Sequence, residues 1–405
     1  MYGVIMAISS TTVLLIFIVI WAIILVYDKI KNNSNKNSNI DNNIEENNNN
    51  NNNNENNKNN HGLKIYYGIF GVLRTSAGFK IINSIGKYKF WRPISLALIP
   101  LCAIISLLTL YMFIVSTINL FSGTVPKESS KPVIFLFGNL IPWIPGIIAL
   151  IIGITFHELA HGIIAKAYNL KIKSTGLLLG LGIPLGAFVE LGDDFKDTTN
   201  KIRGAVASAG PMANVIIFII SLMVMPFVMG LSTPLTISNV IDGYPADNIL
   251  FKGDKIISIN NHKINSLVDF NNVVKDVKPN EKIEITILRN NNNNIITYTI
   301  PTSKDGLIGI NVEPSPTISF ILQTLYWTSM LNLMLGFFNL LPAAPLDGFH
   351  IWNALPDLIR ELKKDNKILN TIANLLNWII NDRSLVSISL MVWGLILFSI
   401  LYSFM

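Results

Sequence analysis

The chain has 405 residues, half of them hydrophobic and only 14% charged, with a mean hydropathy of +0.46. That balance belongs to integral membrane proteins and excludes a large soluble enzyme. The net charge of +6 is carried by lysines and arginines in the connections, with no basic stripe interleaved with aromatics, which argues against nucleic acid as a partner. The single cysteine, Cys102, rules out intramolecular disulfides and thiolate metal sites, so any metal must be held by nitrogen and oxygen.

Apolar windows of spanning length fall near residues 4–27, 94–121, 143–166, 204–230, 317–341 and 385–404, which predicts six transmembrane helices. The first window, Val4 to Tyr27, has no preceding basic residue and no small-residue cleavage site, and reads as a retained helix rather than a removed signal peptide. Asn32 to Asn60 is an asparagine tract with scattered lysine and glutamate that cannot bury a core, and it is expected to be a disordered linker. Six basic residues, Lys64, Arg74, Lys80, Lys87, Lys89 and Arg92, precede the second helix, whereas only Lys127 and Lys131 separate the second from the third. The basic bias therefore predicts that the first connection is cytoplasmic. Threading onward puts the inner half of helix three and the stretch 342–383 on the cytoplasmic side.

Residues 235–312 have a different texture. Short β-rich runs (Thr236 to Ile241, Lys255 to Ile259, Lys282 to Leu288, Ile295 to Ile300) alternate with turns such as Asp242-Gly243, which predicts a small soluble domain. By the same threading it lies outside the cytoplasm. The expected organisation is an N-terminal helix (1–30), the asparagine-rich linker (31–62), a first membrane segment (63–234), the inserted domain (235–313) and a second membrane segment (314–405).

Within the third window sits Phe156-His157-Glu158-Leu159-Ala160-His161, an HExxH pattern flanked by apolar residues. At helical spacing His157 and His161 share a face, so two neutral ring nitrogens can converge on one zinc ion with Glu158 beside it. Ionisable groups inside a spanning segment are costly and mark function. A catalytic zinc ordinarily has three protein ligands and an open position for water. The third donor suggested by position is Asp347, which follows helix five in Asn339-Leu340-Leu341-Pro342-Ala343-Ala344-Pro345-Leu346-Asp347-Gly348, where two prolines end the helix and a glycine permits a tight turn. Asp-Gly is also a common turn pair, and on its own Asp347 reads as a turn or capping residue.

Three motifs together resemble the site-2 protease family of intramembrane zinc metalloproteases: His157 to His161, Ser208-Ala209-Gly210-Pro211-Met212-Ala213-Asn214, and Asn339 through Gly348. The inserted segment, with Gly243-Tyr244-Pro245-Ala246, Phe251 to Asn260 and the helix-like Leu267 to Lys275, looks like a PDZ domain. The resemblance runs over roughly Leu63 to Phe349. It implies one Zn2+ per chain held by His157, His161 and Asp347, with Glu158 as general base and later proton donor. It also suggests that Asn214 contacts the substrate or steadies the developing oxyanion, whereas the residue alone reads equally as an interhelical hydrogen bond. In the glycine-rich stretch Ser174 to Leu191 the family would have a β-hairpin whose open edge pairs with an unwound substrate.

The expectation is therefore an α-helical polytopic membrane protein of about six transmembrane helices with an inserted α+β PDZ-like domain. It would be an intramembrane metalloendopeptidase whose partners are the lipid bilayer and single-span membrane protein substrates, with the active site near the cytoplasmic side. Two readings from other classes stand beside it. A catalytically inactive scaffold would use the PDZ-like domain to capture tails, but has no use for Glu158; a metal transporter would need polar residues lining further helices. His61, His262 and His350 are assigned no role, and the oligomeric state stays open.

Overall fold

The computed structural model describes residues 15, 18–26, 29, 62–75, 77–124, 141–181, 183–289, 294–362 and 367–404. The asparagine tract lies outside the described residues, as do Lys127, Lys131 and most of the first apolar window. Of that window, residues 18–26 are helical. Buried Trp21 donates its indole N–H to the Gly68 carbonyl at 2.9 Å.

In chain order the elements of the membrane part are β1 (Gly62–Tyr66), β2 (Phe70–Thr75), α1 (Ala77–Gly86), α2 (Trp91–Phe121), α3 (Trp143–Ala167), β3 (Ile172–Gly180), β4 (Ile183–Leu191) and α4 (Asn200–Met229). Next comes the inserted sheet, with β5 (Leu235–Val240), β6 (Lys255–Ile259), β7 (His262–Lys263), α5 (Leu267–Lys275), β8 (Lys282–Arg289), β9 (Asn294–Pro301) and β10 (Ile310–Glu313). The chain ends in α6 (Pro316–Asn339), α7 (Asp347–Leu362), α8 (Lys367–Ile379) and α9 (Asp382–Phe404). Among the described residues five helices, α2, α3, α4, α6 and most of α9, are long and apolar enough to cross a membrane. The described residues fall into two compact units, one made of residues up to 218 with 330 onward, the other of residues 219–329.

The first unit is held by small residues. Residues 204–211 of α4 are all buried. Ala205 and Ala207 pack with Ile99, Cys102 and Ala103 of α2 and with Ile351, Ala354 and Leu355 of α7. A Cβ on Gly204 would come within 2.3 Å of the Ala354 Cβ, so the two helices touch backbone to methyl. That is how helices associate where lipid removes the hydrophobic drive, by close van der Waals approach. The outward faces keep Ile104, Leu107, Leu108, Ile216 and Leu397 exposed, as a lipid-facing surface requires.

The hairpin expected at Ser174 to Leu191 is present as β3 and β4, and it belongs to a larger antiparallel sheet in the order β1-β2-β3-β4. The preceding hairpin β1–β2 escapes a reading by apolar periodicity because its strands are only 5 and 6 residues long. Strand β4 forms one edge of this sheet, and α1 braces the α3 end, where Ile82 fills the space left by Gly162.

The second unit is a sheet in the order β10-β5-β6-β8-β9, with β7 paired to β6. Alternate residues turn inward, so Leu235, Ile237, Ile256, Ile259, Ile283, Ile285, Ile287 and Ile300 form its core. Ser266 caps α5 by accepting from the Asp269 N–H, while the Asp269 carboxylate accepts from the Asn265 N–H. An apolar cavity of about 240 Å³ is lined by Phe270 and Val274 of α5 and by Ile308, Gly309 and Ile310 beside β10. One ion pair is locked inside this unit. The Asp254 carboxylate, with 3% of its side chain exposed, receives the Arg289 guanidinium through Nη2 at 2.7 Å and Nε at 2.9 Å. Arg289 also donates to the Tyr298 hydroxyl and the Ile249 carbonyl and stacks over Phe251. The hydrogen-bonded Asp254 carboxylate holds the guanidinium above even its ordinary basicity.

Candidate metal centre

Helix α3 carries His157, Glu158 and His161 in its C-terminal half, and its periodicity turns both imidazoles to one side. Their Nε2 atoms lie 3.1 Å apart. His161 is oriented from behind, because its Nδ1 donates to the Val206 carbonyl of α4 at 2.8 Å, which leaves Nε2 bare. His157 is 7% exposed, with its Nδ1 facing the Asn214 side chain at 3.2 Å.

Asp347 reaches the same point from the far end of the chain. Helix α6 ends at Asn339, prolines 342 and 345 keep the chain from resuming a helix, and Asp347 opens α7. The turn is pinned on three sides. Ser106 of α2 donates to the Leu340 carbonyl, Ser389 of α9 accepts from the Ala344 N–H at 2.9 Å, and the Trp393 indole donates to the Ala344 carbonyl at 2.8 Å. Gly348 is confined to glycine because a Cβ there would sit 2.2 Å from the Leu341 carbonyl and 2.3 Å from that of Leu340. The outcome is an Asp347 Oδ2 at 3.2 Å from His157 Nε2 and 3.3 Å from His161 Nε2.

Three donor atoms thus form a nearly equilateral triangle with sides of 3.1, 3.2 and 3.3 Å. The edge of a tetrahedron whose ligands lie about 2.0–2.1 Å from a central zinc is about 3.3–3.4 Å. The donor set, two imidazoles and one carboxylate with no sulfur, is the nitrogen and oxygen chemistry zinc takes in catalytic sites. Room is reserved beside the triangle by Gly210 of α4, where a Cβ would fall 2.4 Å from His161 Nε2 and 2.7 Å from His157 Nε2. The residues fit a divalent metal.

Glu158 is the second carboxylate near the histidines, with its oxygen and their ring nitrogens all within 4.8 Å of one another. It does not close the triangle; instead its Oε2 accepts the backbone N–H of Val189 on β4 at 3.0 Å. Val189 lies opposite Thr175 of β3, and since its N–H points at Glu158 rather than at β3, the free edge of β4 faces the site.

The structure therefore brings together all four residues singled out around the metal, His157, Glu158, His161 and Asp347. It also brings Asn214 in, wholly buried and directed at His157 rather than at open space. His350 stands between Phe195 and Phe349, outside the triangle. Val206, Ser389 and Trp393 were not legible in advance, because a backbone carbonyl has no sequence signature and a serine or tryptophan in an apolar helix has many uses. Gly210 had a signal in its place four residues before Asn214 and four after Val206, one stripe of α4.

Several apolar spans with a histidine pair, a glutamate and a converging aspartate in their midst define a multi-pass membrane protein with a metallopeptidase-type donor set. The description of peptidase family M50 matches residues 145–380. A protein of Methanocaldococcus jannaschii, uncharacterized by name, is 52% identical over 341 residues, covering 84% of this chain and 92% of its own. A protein of Clostridium acetobutylicum, provisionally named as a zinc metalloprotease, is 28% identical over 141 residues, 29% of this chain and 41% of that relative. The chain belongs to peptidase family M50, the site-2 protease family, a membership that implies a zinc metalloprotease of the site-2 type.

Proposed function

We propose that the protein is an intramembrane zinc endopeptidase that cuts within the transmembrane segments of single-span membrane proteins. His157, His161 and Asp347 hold one zinc ion, and the observation that carries this is the triangle of donors with sides of 3.1, 3.2 and 3.3 Å beside a glycine that leaves room for a ligand. Zinc bound there supplies an acidified water and a Lewis acid for the scissile carbonyl. Glu158, near the donors yet outside their triangle, takes a proton from the attacking water and returns it to the departing amine. A spanning helix shields its peptide bonds with its own hydrogen bonds, so a substrate has to unwind before attack. The free edge of β4 is suited to receive it, since strand addition there would lay an extended segment beside Glu158. Substrate entry along this edge would replace the bond between the Val189 N–H and Glu158 and release the base.

In this reading the first apolar window adds a sixth span, the inserted sheet is a PDZ-like domain outside the cytoplasm that filters bulky ectodomains, and the metal lies toward the cytoplasmic side. Support comes from the basic residues before α2 and from the cavity between α5 and β10. The biological role is controlled release of membrane-tethered factors or clearance of residual membrane peptides. The test is metal content and cleavage of a single-span substrate panel by detergent-purified protein. Glu158→Gln is expected to keep one zinc per chain and lose cleavage, and Asp347→Ala to lose most of the metal. Cleavage by Glu158→Gln at the parent rate would overturn the mechanism.

A further inference from the structure

One buried group in the first unit has only one of its two polar side-chain atoms partnered. Asn214 is 0% exposed, its carboxamide lies 3.2 Å from His157 Nδ1, and its Oδ1 has no hydrogen-bond partner among the described residues. Leaving a buried amide oxygen unpaired costs about 1–3 kcal/mol, so the position calls for a partner. As oriented, the amide N–H faces Nδ1, which would put the ring proton of His157 on Nε2. That is the atom of the donor triangle, and it must be bare to bind a cation. A half-turn of the carboxamide removes the tautomer conflict and pairs the oxygen: Oδ1 comes to face Nδ1 and accepts its N–H, Nε2 is left with its lone pair directed at Asp347 and His161, and the amide N–H groups take the place the oxygen leaves. The group of atoms is otherwise unchanged, because the amide oxygen and nitrogen have nearly the same shape.

The geometry points to Asn214 as the positioning residue that fixes His157 in the Nδ1–H tautomer, with Asn214 Oδ1 accepting that proton's hydrogen bond. The inference rests on the zinc reading above. It gives His157 what His161 already has, since the Val206 carbonyl accepts from His161 Nδ1 at 2.8 Å. Val206, Gly210 and Asn214 follow one another at intervals of four residues on α4 and so share one face of it. That single stripe offers a carbonyl for one imidazole, clearance for both Nε2 atoms, and a side-chain acceptor for the other imidazole. Partners of this kind set ring orientation and ligand basicity, and removing one lowers metal affinity by about 10–100-fold. A contact to the substrate or oxyanion, by contrast, requires an amide exposed to the cleft, and this one is covered on every side.

The test is zinc affinity, measured by chelator competition on the full-length protein in detergent, for the parent, Asn214→Leu and Asn214→Asp, with cleavage kinetics alongside. Leucine matches the shape of asparagine and offers no acceptor; aspartate offers acceptors alone. Asn214→Leu is expected to bind zinc about 10–100-fold more weakly, and Asn214→Asp to stay within about threefold of the parent or exceed it, a rescue that packing does not explain. Unchanged zinc affinity in Asn214→Leu with a raised KM would overturn the inference in favour of a substrate contact. Equal losses in both variants would overturn it in favour of packing. In either of those cases the zinc reading stands, whereas a parent protein that binds no zinc removes both.

Discussion

Gly210→Ala separates the metal centre from the helix that supports it. The substitution is conservative for α4, since alanine is favoured over glycine in a helix interior by up to about 1 kcal/mol. For the donors it is severe. The new Cβ would stand 2.4 Å from His161 Nε2 and 2.7 Å from His157 Nε2, where ordinary contacts begin at 3.4 Å, so the two rings must withdraw by about 1.0 and 0.7 Å. Metal sites tolerate about 0.2 Å in their ligand distances. A displacement several times larger is expected to weaken zinc binding by at least 100-fold, or about 2.7 kcal/mol. Chelator competition measures the affinity, and thermal unfolding of the metal-free protein in detergent measures the helix. The expected pair of results is a collapse in affinity with the metal-free protein still folded, its stability lowered by no more than the about 1–3 kcal/mol that overpacking costs, less the helix gain. If Gly210→Ala held zinc within threefold of the parent, the idea that this glycine keeps space for the metal centre would be refuted.

Two further perturbations probe the supports. Replacing both Ser389 and Trp393, as Ser389→Ala with Trp393→Phe, removes both hydrogen bonds from Ala344; at about 1 kcal/mol each the loop loses about 2 kcal/mol of restraint, and zinc affinity should fall by up to roughly 30-fold while helix content by circular dichroism is unchanged. Unaltered affinity in that double variant would mean α9 does not hold Asp347 in place. Arg289→Met leaves the Asp254 carboxylate buried without its partner, which should destabilise the sheet unit by about 3–5 kcal/mol, read as lost amide-exchange protection in residues 235–313. An equal loss in Arg289→Met with Asp254→Asn, where no carboxylate is left unpaired, would count against the buried Asp254 charge as its source.

The spanning segments were readable from the chain because hydrocarbon imposes a length and a composition that few other environments demand. The donor triangle was legible in part, because HExxH sets a spacing on one helix, whereas Asp347 alone reads as a turn residue and was joined to the histidines by its place after the fifth window and by the family resemblance. Strand alternation in the inserted sheet was visible for the same reason of period. Tertiary structure alone decided how these pieces meet. The convergence of Asp347 on the histidines depends on Ser106, Ser389 and Trp393 gripping a loop from two other helices, and no local pattern encodes a contact between residues 344 and 393. The first hairpin was likewise hidden, since strands of 5 and 6 residues have little periodicity to read. The stripe Val206, Gly210 and Asn214 is the clearest division of labour: its spacing is written in the sequence, but only the packing of α4 against α3 turns a carbonyl, a missing side chain and an amide into the backing of two imidazoles.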